Sequence, residues 1–345
     1  MGNLSFESCY QVLLLQAADE GRAEALFGNS LQRARTSVPP FLVGKTFPDV
    51  YFEHPLSGDP YLDVTLLLFG LEPGTRVDSG AAGDHAAMLD WIANARRDCS
   101  DIGFGFELDT KEEELPTAAV HFQPRWHTEF VRPFCHAAGE PWRADLYLNQ
   151  ADRMPQGWEL AYFGLFRGRP ESPLRACGYM GFSELRACSH DPSHLAEVFD
   201  KIGFGAYEAE MLEQVSLLLA TAPGVADFQF DIYPDGHLGP MFAIETQFSI
   251  EQPSAVRESF ESGAGARVMG LLEGWGAADD RWRSAIDSAF ACAIPAAAVG
   301  GGAGELGLTL MPQWAKARWV DGVLQQAKLY HLARADLLAG SESRT

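Results

Sequence analysis

The chain has 345 residues, 47% hydrophobic and 21% charged, a balance that supports a large buried core and excludes disorder, collagen and a bare coiled coil. Forty-seven acidic residues against 26 basic ones give a formal net charge of −21, a field that repels phosphate backbones and anionic lipid and so argues against nucleic-acid or membrane partners. The sequence has no apolar run long enough to span a bilayer, no basic leader, and six scattered cysteines without a CxxC pair, which reads as a cytoplasmic protein with reduced thiols.

Period-two alternation predicts strands at 49–53 and 61–69, around the turn residues Ser57-Gly58-Asp59-Pro60. A helix is predicted over 85–98, with Met88, Leu89 and Ile92 on one face. Strands at 102–109 and 118–123 form a second hairpin, and strands at 144–149 and 158–166 a third, with one more strand at 174–180. Between the second and third hairpins, Trp126 and His127 follow Arg125, and a packed indole is the expectation there. Helices follow at 193–202, with Ser193 as the cap, and at 208–220. The hairpin over 228–248 puts Phe228, Phe230 and Ile232 on one face and Gln229, Asp231 and Tyr233 on the other, with Pro234-Asp235-Gly236 as its turn. Helices are predicted at 265–275 and 279–293, and the Ala/Gly-rich stretch 295–307 reads as a flexible loop. The last hairpin, 313–320 and 325–332, closes on Asp321-Gly322, a turn that would pair Arg318 with Gln325 and Lys316 with Ala327. The whole of 1–345 reads as one domain, with a barrel over about 40–335 and a disordered tail at 339–345.

One face of these hairpins is Phe, Leu, Ile and Val; the other carries acids, Lys and Arg. Two like charges about 4 Å apart repel by roughly 4 kcal/mol at an effective dielectric of 20, so the polar face cannot be a dry core. An open sheet with helices on one side fits the pattern. An α+β fold fits it better, as an antiparallel barrel of about ten strands built from αββ repeats, with helices outside and a polar lumen, because closure removes the exposed edges.

Lys316 and Arg318 leave one face of their strand, and Lys328 with Tyr330 repeats this on the partner. Together with Arg175 they form a candidate site for an anionic group, the alternative being pairing with carboxylates such as Asp231 or Glu245. Glu107, Asp231 and Glu245 are candidate general bases, and His121 is another. Gly302-Ala-Gly-Glu-Leu-Gly307 matches GxGxxG as text, but no strand precedes it and no helix follows, which excludes a dinucleotide fold. Asp279-Asp280 reads as helix capping, and no HExxH, CxxC or HxH spacing suggests a dedicated transition-metal site.

The hairpin–helix pattern and the closing strand Lys328-Leu-Tyr330 resemble the PT-barrel of the ABBA-type aromatic prenyltransferases. The resemblance implies a transferase that moves a prenyl group from an allylic diphosphate to a small aromatic or peptide acceptor in the lumen. It implies diphosphate binding by Arg175, Lys316, Arg318 and Lys328, cation shielding by Tyr179, Tyr330 and Tyr233, and magnesium as a candidate cofactor. The first two hairpins depart from the family pattern, since their polar faces carry acids and no Lys or Arg. That departure keeps two alternatives open: a peptide-tailoring enzyme using acid–base chemistry in the same lumen, and a non-catalytic barrel that binds a peptide or metabolite.

Overall fold

Five times along the chain, helices are followed by antiparallel strands. The computed structural model describes residues 5–18, 22–77, 85–111, 118–167, 171–222, 224–248, 252–297 and 303–338. Helices α1 (Phe6–Ala17), α2 (Arg22–Phe27) and α3 (Ser30–Ser37) precede strands β1 (Asp49–Pro55) and β2 (Asp63–Leu67). Helix α4 (Ala86–Asp98) precedes β3 (Gly103–Asp109) and β4 (Ala119–Gln123), and α5 (Val131–Ala137) with α6 (Arg143–Ala151) precedes β5 (Trp158–Leu165) and β6 (Leu174–Met180). Helices α7 (Phe182–His190), α8 (Pro192–Ile202) and α9 (Ala209–Thr221) lead to β7 (Ala226–Ile232) and β8 (Leu238–Gln247). Helices α10 (Val256–Glu261), α11 (Ala264–Gly274) and α12 (Arg281–Ile286) lead to β9 (Phe290–Ala297), β10 (Ala303–Val320) and β11 (Val323–Leu338).

The sheet runs β1 to β8 in sequence order, then β10, then β11, which pairs back onto β1 and closes a ten-stranded antiparallel barrel. Strand β9 is extra, laid along the first part of β10. The strand ends joined within the pairs β1–β2, β3–β4, β5–β6, β7–β8 and β10–β11 lie at one rim, the turn end, and the strand ends joined through helices lie at the other, the helix end.

The apolar strand face points outward into the helices. Phe122 stacks on Phe134 of α5 at 4.1 Å, edge-on to Trp91 of α4, with Phe163 and Phe104 completing the cluster. Phe242 meets Phe199 of α8 at 4.7 Å, and Trp158 meets Phe228 at the same distance. Each fully buried ring of this kind stabilises by about 1.5–3 kcal/mol. No helix of the described residues is long and apolar enough to cross a membrane, and the six cysteines are unpaired thiols.

Four expectations need correction. Residues 144–149 are helical within α6, because Ala144, Tyr147 and Gln150 are buried at helical spacing and β5 already pairs with β4 and β6. Helix α8 is capped by Asp191, which accepts from the Ser193 amide at 2.9 Å, with Pro192 at the first helical position. The helix expected over 279–293 stops at Ile286, after Asp279 has accepted from the Arg281 amide, and 290–297 is strand. Much of the expected loop is also strand: Ala303 pairs with Ala297 and Gly307 with Ala293, in a stretch rich enough in Ala and Gly to give a period of two little contrast. The rest of that loop and the tail at 339–345 lie outside the described residues.

The closing hairpin turns at Asp321 and Gly322, with φ of 50° and 75°, as a two-residue hairpin turn requires. A register shift between Arg318 and Trp319 then pairs Arg318 with Gln326 and Lys316 with Lys328, not with Gln325 and Ala327 as the turn alone predicts. Directly opposed residues share a face, so this shift is what holds both lysines on the lumen side.

Candidate functional site

The lumen holds two chambers that meet at a charged waist. The helix-end chamber is a cavity of about 250 Å³, with Tyr51, Tyr162, Tyr179, Tyr330 and Trp314 on its wall. The turn-end chamber, about 380 Å³, is walled by Tyr61, Asp63, Asp109, Lys111, Arg318, Gln326 and Lys328. Glu53, Glu107, Arg175 and Lys316 face both.

Strand register explains the layout. On β11, Lys328 lies toward the turn end and Tyr330 two residues further toward the helix end; on β6, Arg175 and Tyr179 repeat the order over four residues; on β10, Lys316 and Trp314 repeat it in the reverse chain direction. Residues two apart point the same way about 7 Å apart, so each strand sets a cation at the waist or below and a ring above it.

The cations are met by carboxylates, the alternative that the sequence left open. Arg175 donates from Nε and Nη2 to the two oxygens of Asp231, at 2.9 and 3.2 Å, and lies over the Phe166 ring at 4.6 Å. Lys316 Nζ is 3.1 Å from Glu245 Oε1 and donates to Gln229 Oε1 at 2.5 Å. Gln229 in turn donates to Glu245 at 2.6 Å, and the Tyr330 hydroxyl donates to the same oxygen at 3.3 Å. Lys328 Nζ donates to Asp63 Oδ2 at 2.6 Å and lies 3.5 Å from Glu53 Oε2, and Glu53 takes a bond from Thr65 through its other oxygen. Arg318 is a half-buried wall residue of the turn-end chamber.

Of the candidate bases, Glu107 and Glu245 face the helix-end chamber. Glu107 Oε2 is 3.0 Å from His121 Nε2, and the imidazole fits because its strand neighbour is Gly164, where a Cβ would come within 3.1 Å of the ring. Asp231 walls neither chamber, its oxygens being occupied by Arg175. Tyr233 is also outside: a register shift after Phe230 carries it to the turn, where its ring stacks on His237 at 4.7 Å. Trp126 is 64% exposed rather than packed.

Electrostatics separates two carboxyls that alternation did not single out as bases. Burial pushes the Asp63 carboxyl up to about 7, against the pull of Lys328 and with the repulsion of Asp109 and Glu53. Burial also raises Asp227 well above the carboxylate range, and Glu245 directly across the ladder adds to it. Lys328 is held well above its ordinary value: burial opposes its charge, but Asp63, Tyr61 and Glu53 outweigh it. Burial raises the four chamber tyrosines, Tyr179 to about 12, so all are neutral phenols at pH 7. Asp227 was missed because it opens its strand beside the small residue Ala226; Tyr51, Tyr162, Arg125 and Trp314 were missed because alternation marks a face and not which faces converge.

Among the described residues, no group of three or more His, Cys, Asp or Glu side chains is arranged to hold a metal ion. Glu53, Asp63 and Asp109 lie in adjacent register, but the Lys328 ammonium is against two of them. These residues do not fit a resident magnesium ion.

No protein-family model and no curated protein matches the sequence. Solved structures do match it in shape. The 5-dimethylallyltryptophan synthase from Streptomyces coelicolor superposes with a TM-score of 0.53 at 12% identity, over 100% of both chains. The fold is a PT-barrel. Two structures of the prenyltransferase PriB share it: the apo form, with a TM-score of 0.52 at 14% identity over 94% of this chain and 95% of that one, and a binary complex with product diphosphate, with a TM-score of 0.53 at 12% identity over 98% and 99%. Identities this low carry the PT-barrel architecture alone.

Proposed function

We propose that the chain is a PT-barrel transferase that moves a prenyl group from an allylic diphosphate to a small aromatic acceptor. The observation that carries this reading is the cation-then-ring order repeated on β6, β10 and β11. A diphosphate at the waist and turn end, met by Arg175, Lys316, Arg318 and Lys328, directs its allyl chain among Tyr51, Tyr162, Tyr179 and Tyr330. The allylic C–O bond breaks with its electron pair leaving on the diphosphate oxygen. The rings stabilise the allyl cation through their faces and exclude water from it. An aromatic carbon of the acceptor attacks, a C–C bond forms, and Glu107 with His121 takes the displaced proton. The diphosphate must take over cations now shared with Asp63, Glu53 and Glu245, and a carboxyl as readily protonated as Asp63 eases that exchange.

The complete pairing of Lys316, Lys328 and Arg175 supports a second reading, a lumen that binds a neutral aromatic or peptide ligand without any diphosphate. Incubation with dimethylallyl diphosphate and a panel of indoles, phenols and short aromatic peptides distinguishes them. Mass spectrometry should detect an acceptor gaining one dimethylallyl group in place of a proton, with equimolar diphosphate release. Ligand binding without any adduct across the panel would favour the second reading.

A further inference from the structure

The lumen reaches the surface at both ends. Lys111, which follows β3 at the turn end, is exposed to solvent and also walls the turn-end chamber. Arg125, which follows β4 at the helix end, is exposed and walls the helix-end chamber. Between them the waist is closed in: Glu53, Arg175 and Lys316 are 4%, 8% and 9% exposed. Each mouth carries an exposed cation, and among the described residues neither of these two cations is in an ion pair. What stands behind each cation differs. Arg125 is followed by the exposed Trp126, and the wall inside it is formed largely by Tyr162, Tyr179 and Trp314. Behind Lys111 stands Tyr61, whose ring has the Lys111 ammonium at 5.4 Å and the Lys328 ammonium also at 5.4 Å, and whose hydroxyl accepts from Gln326 at 2.8 Å. One fixed ring therefore links a solvent-exposed cation to an inner one, in the chamber that Arg318 also walls. In a chain of net charge −21, which repels anions over most of its surface, this rim offers an anion a stepped path inward.

We propose that the turn end is a separate mouth for the diphosphate, with Lys111 and Tyr61 as its outer station, so that donor and acceptor use opposite ends of the barrel. This rests on the reading of the lumen as a prenyl-transfer site. A donor that enters the turn end tail first arrives with its diphosphate beside Lys328 and Arg318 and its allyl chain toward the rings, with no need to turn round. From the helix end it would have to lead with its diphosphate past the rings, whose negative faces repel an anion. After the C–O bond has broken, the free diphosphate passes from Lys328 to Lys111 and solvent, and the prenylated acceptor leaves at the helix end. Neither product waits for the other.

The test is the association rate of radiolabelled dimethylallyl thiolodiphosphate, read by rapid filtration. Lys111→Glu and Arg125→Glu each exchange a positive charge for a negative one, so the global field is matched and only the mouth differs. Lys111→Glu should slow association about five- to tenfold at low ionic strength, with Lys111→Gln in between, and added salt should shrink the difference. Arg125→Glu should stay within about twofold of wild type, as a charge away from the path does. With indole saturating the helix-end chamber, association to the wild type should also stay within about twofold, because the acceptor does not stand in the donor's way. Association slowed as much by Arg125→Glu as by Lys111→Glu, unchanged in Lys111→Glu, or held up until bound indole leaves would each overturn the separate mouth and leave the transfer reading intact. No binding of the analogue to wild type at millimolar concentration would overturn both.

Discussion

The two ends of one lumen differ in their share of aromatic rings. At the helix end, four tyrosines and a tryptophan share the wall of a small cavity with Arg125, Asp227 and Glu245; at the turn end, Asp63, Asp109, Lys111, Arg318 and Lys328 wall a larger one with a single ring, Tyr61. The same strands build both, so the difference comes from where along each strand the cation and the ring are placed, and the waist of Glu53, Glu107, Arg175 and Lys316 is where one character changes into the other. A barrel that only needed a wet interior would have no reason to gather its rings at one end. A barrel that separates the two ends of an amphipathic substrate does, because a diphosphate needs cations and an allyl cation needs π faces shielded from water.

The sorting can be attacked from either end. The largest effect is expected at the waist: Glu107→Gln removes the proposed proton acceptor and should lower kcat by about 10²- to 10⁴-fold, with donor affinity held within about twofold in equilibrium titrations. Next, Lys328→Met removes a cation from the turn end and should weaken binding of dimethylallyl thiolodiphosphate by roughly ten- to hundredfold. Indole binding at the helix end should be unchanged in the same protein, and a parallel loss would show that the chambers are not separate.

A third effect, on folding and not on binding, is a pH dependence of stability. The folded-state Asp63 carboxyl lies at about 7, above the ordinary value of 3.8, so between those limits the folded protein holds more protons than the unfolded chain. Stability from this group is therefore greatest below about pH 4 and declines as pH rises through about 7, by a few kcal/mol, since each tenfold change in proton affinity is worth about 1.4 kcal/mol. Urea titrations of wild type and Asp63→Asn across that range should show the decline reduced in the variant. The smallest effect is at the turn itself. Gly322 has φ of 75°, and a Cβ there would lie 2.8 Å from the Glu208 side chain. Gly322→Ala should cost about 1 kcal/mol or more, read as a lower urea midpoint, and, if it disturbs the shift that sets Lys316 opposite Lys328, also weaken thiolodiphosphate binding.

Much of this was legible in the sequence. Alternation marked the strands β1 to β8 and the inward acids, because a period of two is a direct consequence of the pleat. It failed where the chain offers no contrast: 290–297 and 303–307 are mostly small and apolar, and 144–149 fits two periods over too few residues to choose. Register is a tertiary property, set by shifts such as those at Arg318/Trp319 and Phe230/Ile232, and those shifts decided that Lys316 faces Lys328 and that Tyr233 leaves the lumen. The electrostatic roles of Asp63 and Asp227 depend on which side chains converge across the barrel, and no spacing along one strand carries that information.

Isothermal titration of the wild-type protein with dimethylallyl thiolodiphosphate, a stable donor analogue, tests the central claim most directly. The account predicts saturable binding at one site per chain that weakens at least about tenfold in Lys328→Met. Absence of binding at millimolar analogue, in a protein that still binds indoles, would contradict it and leave the barrel as a lumen for neutral ligands alone.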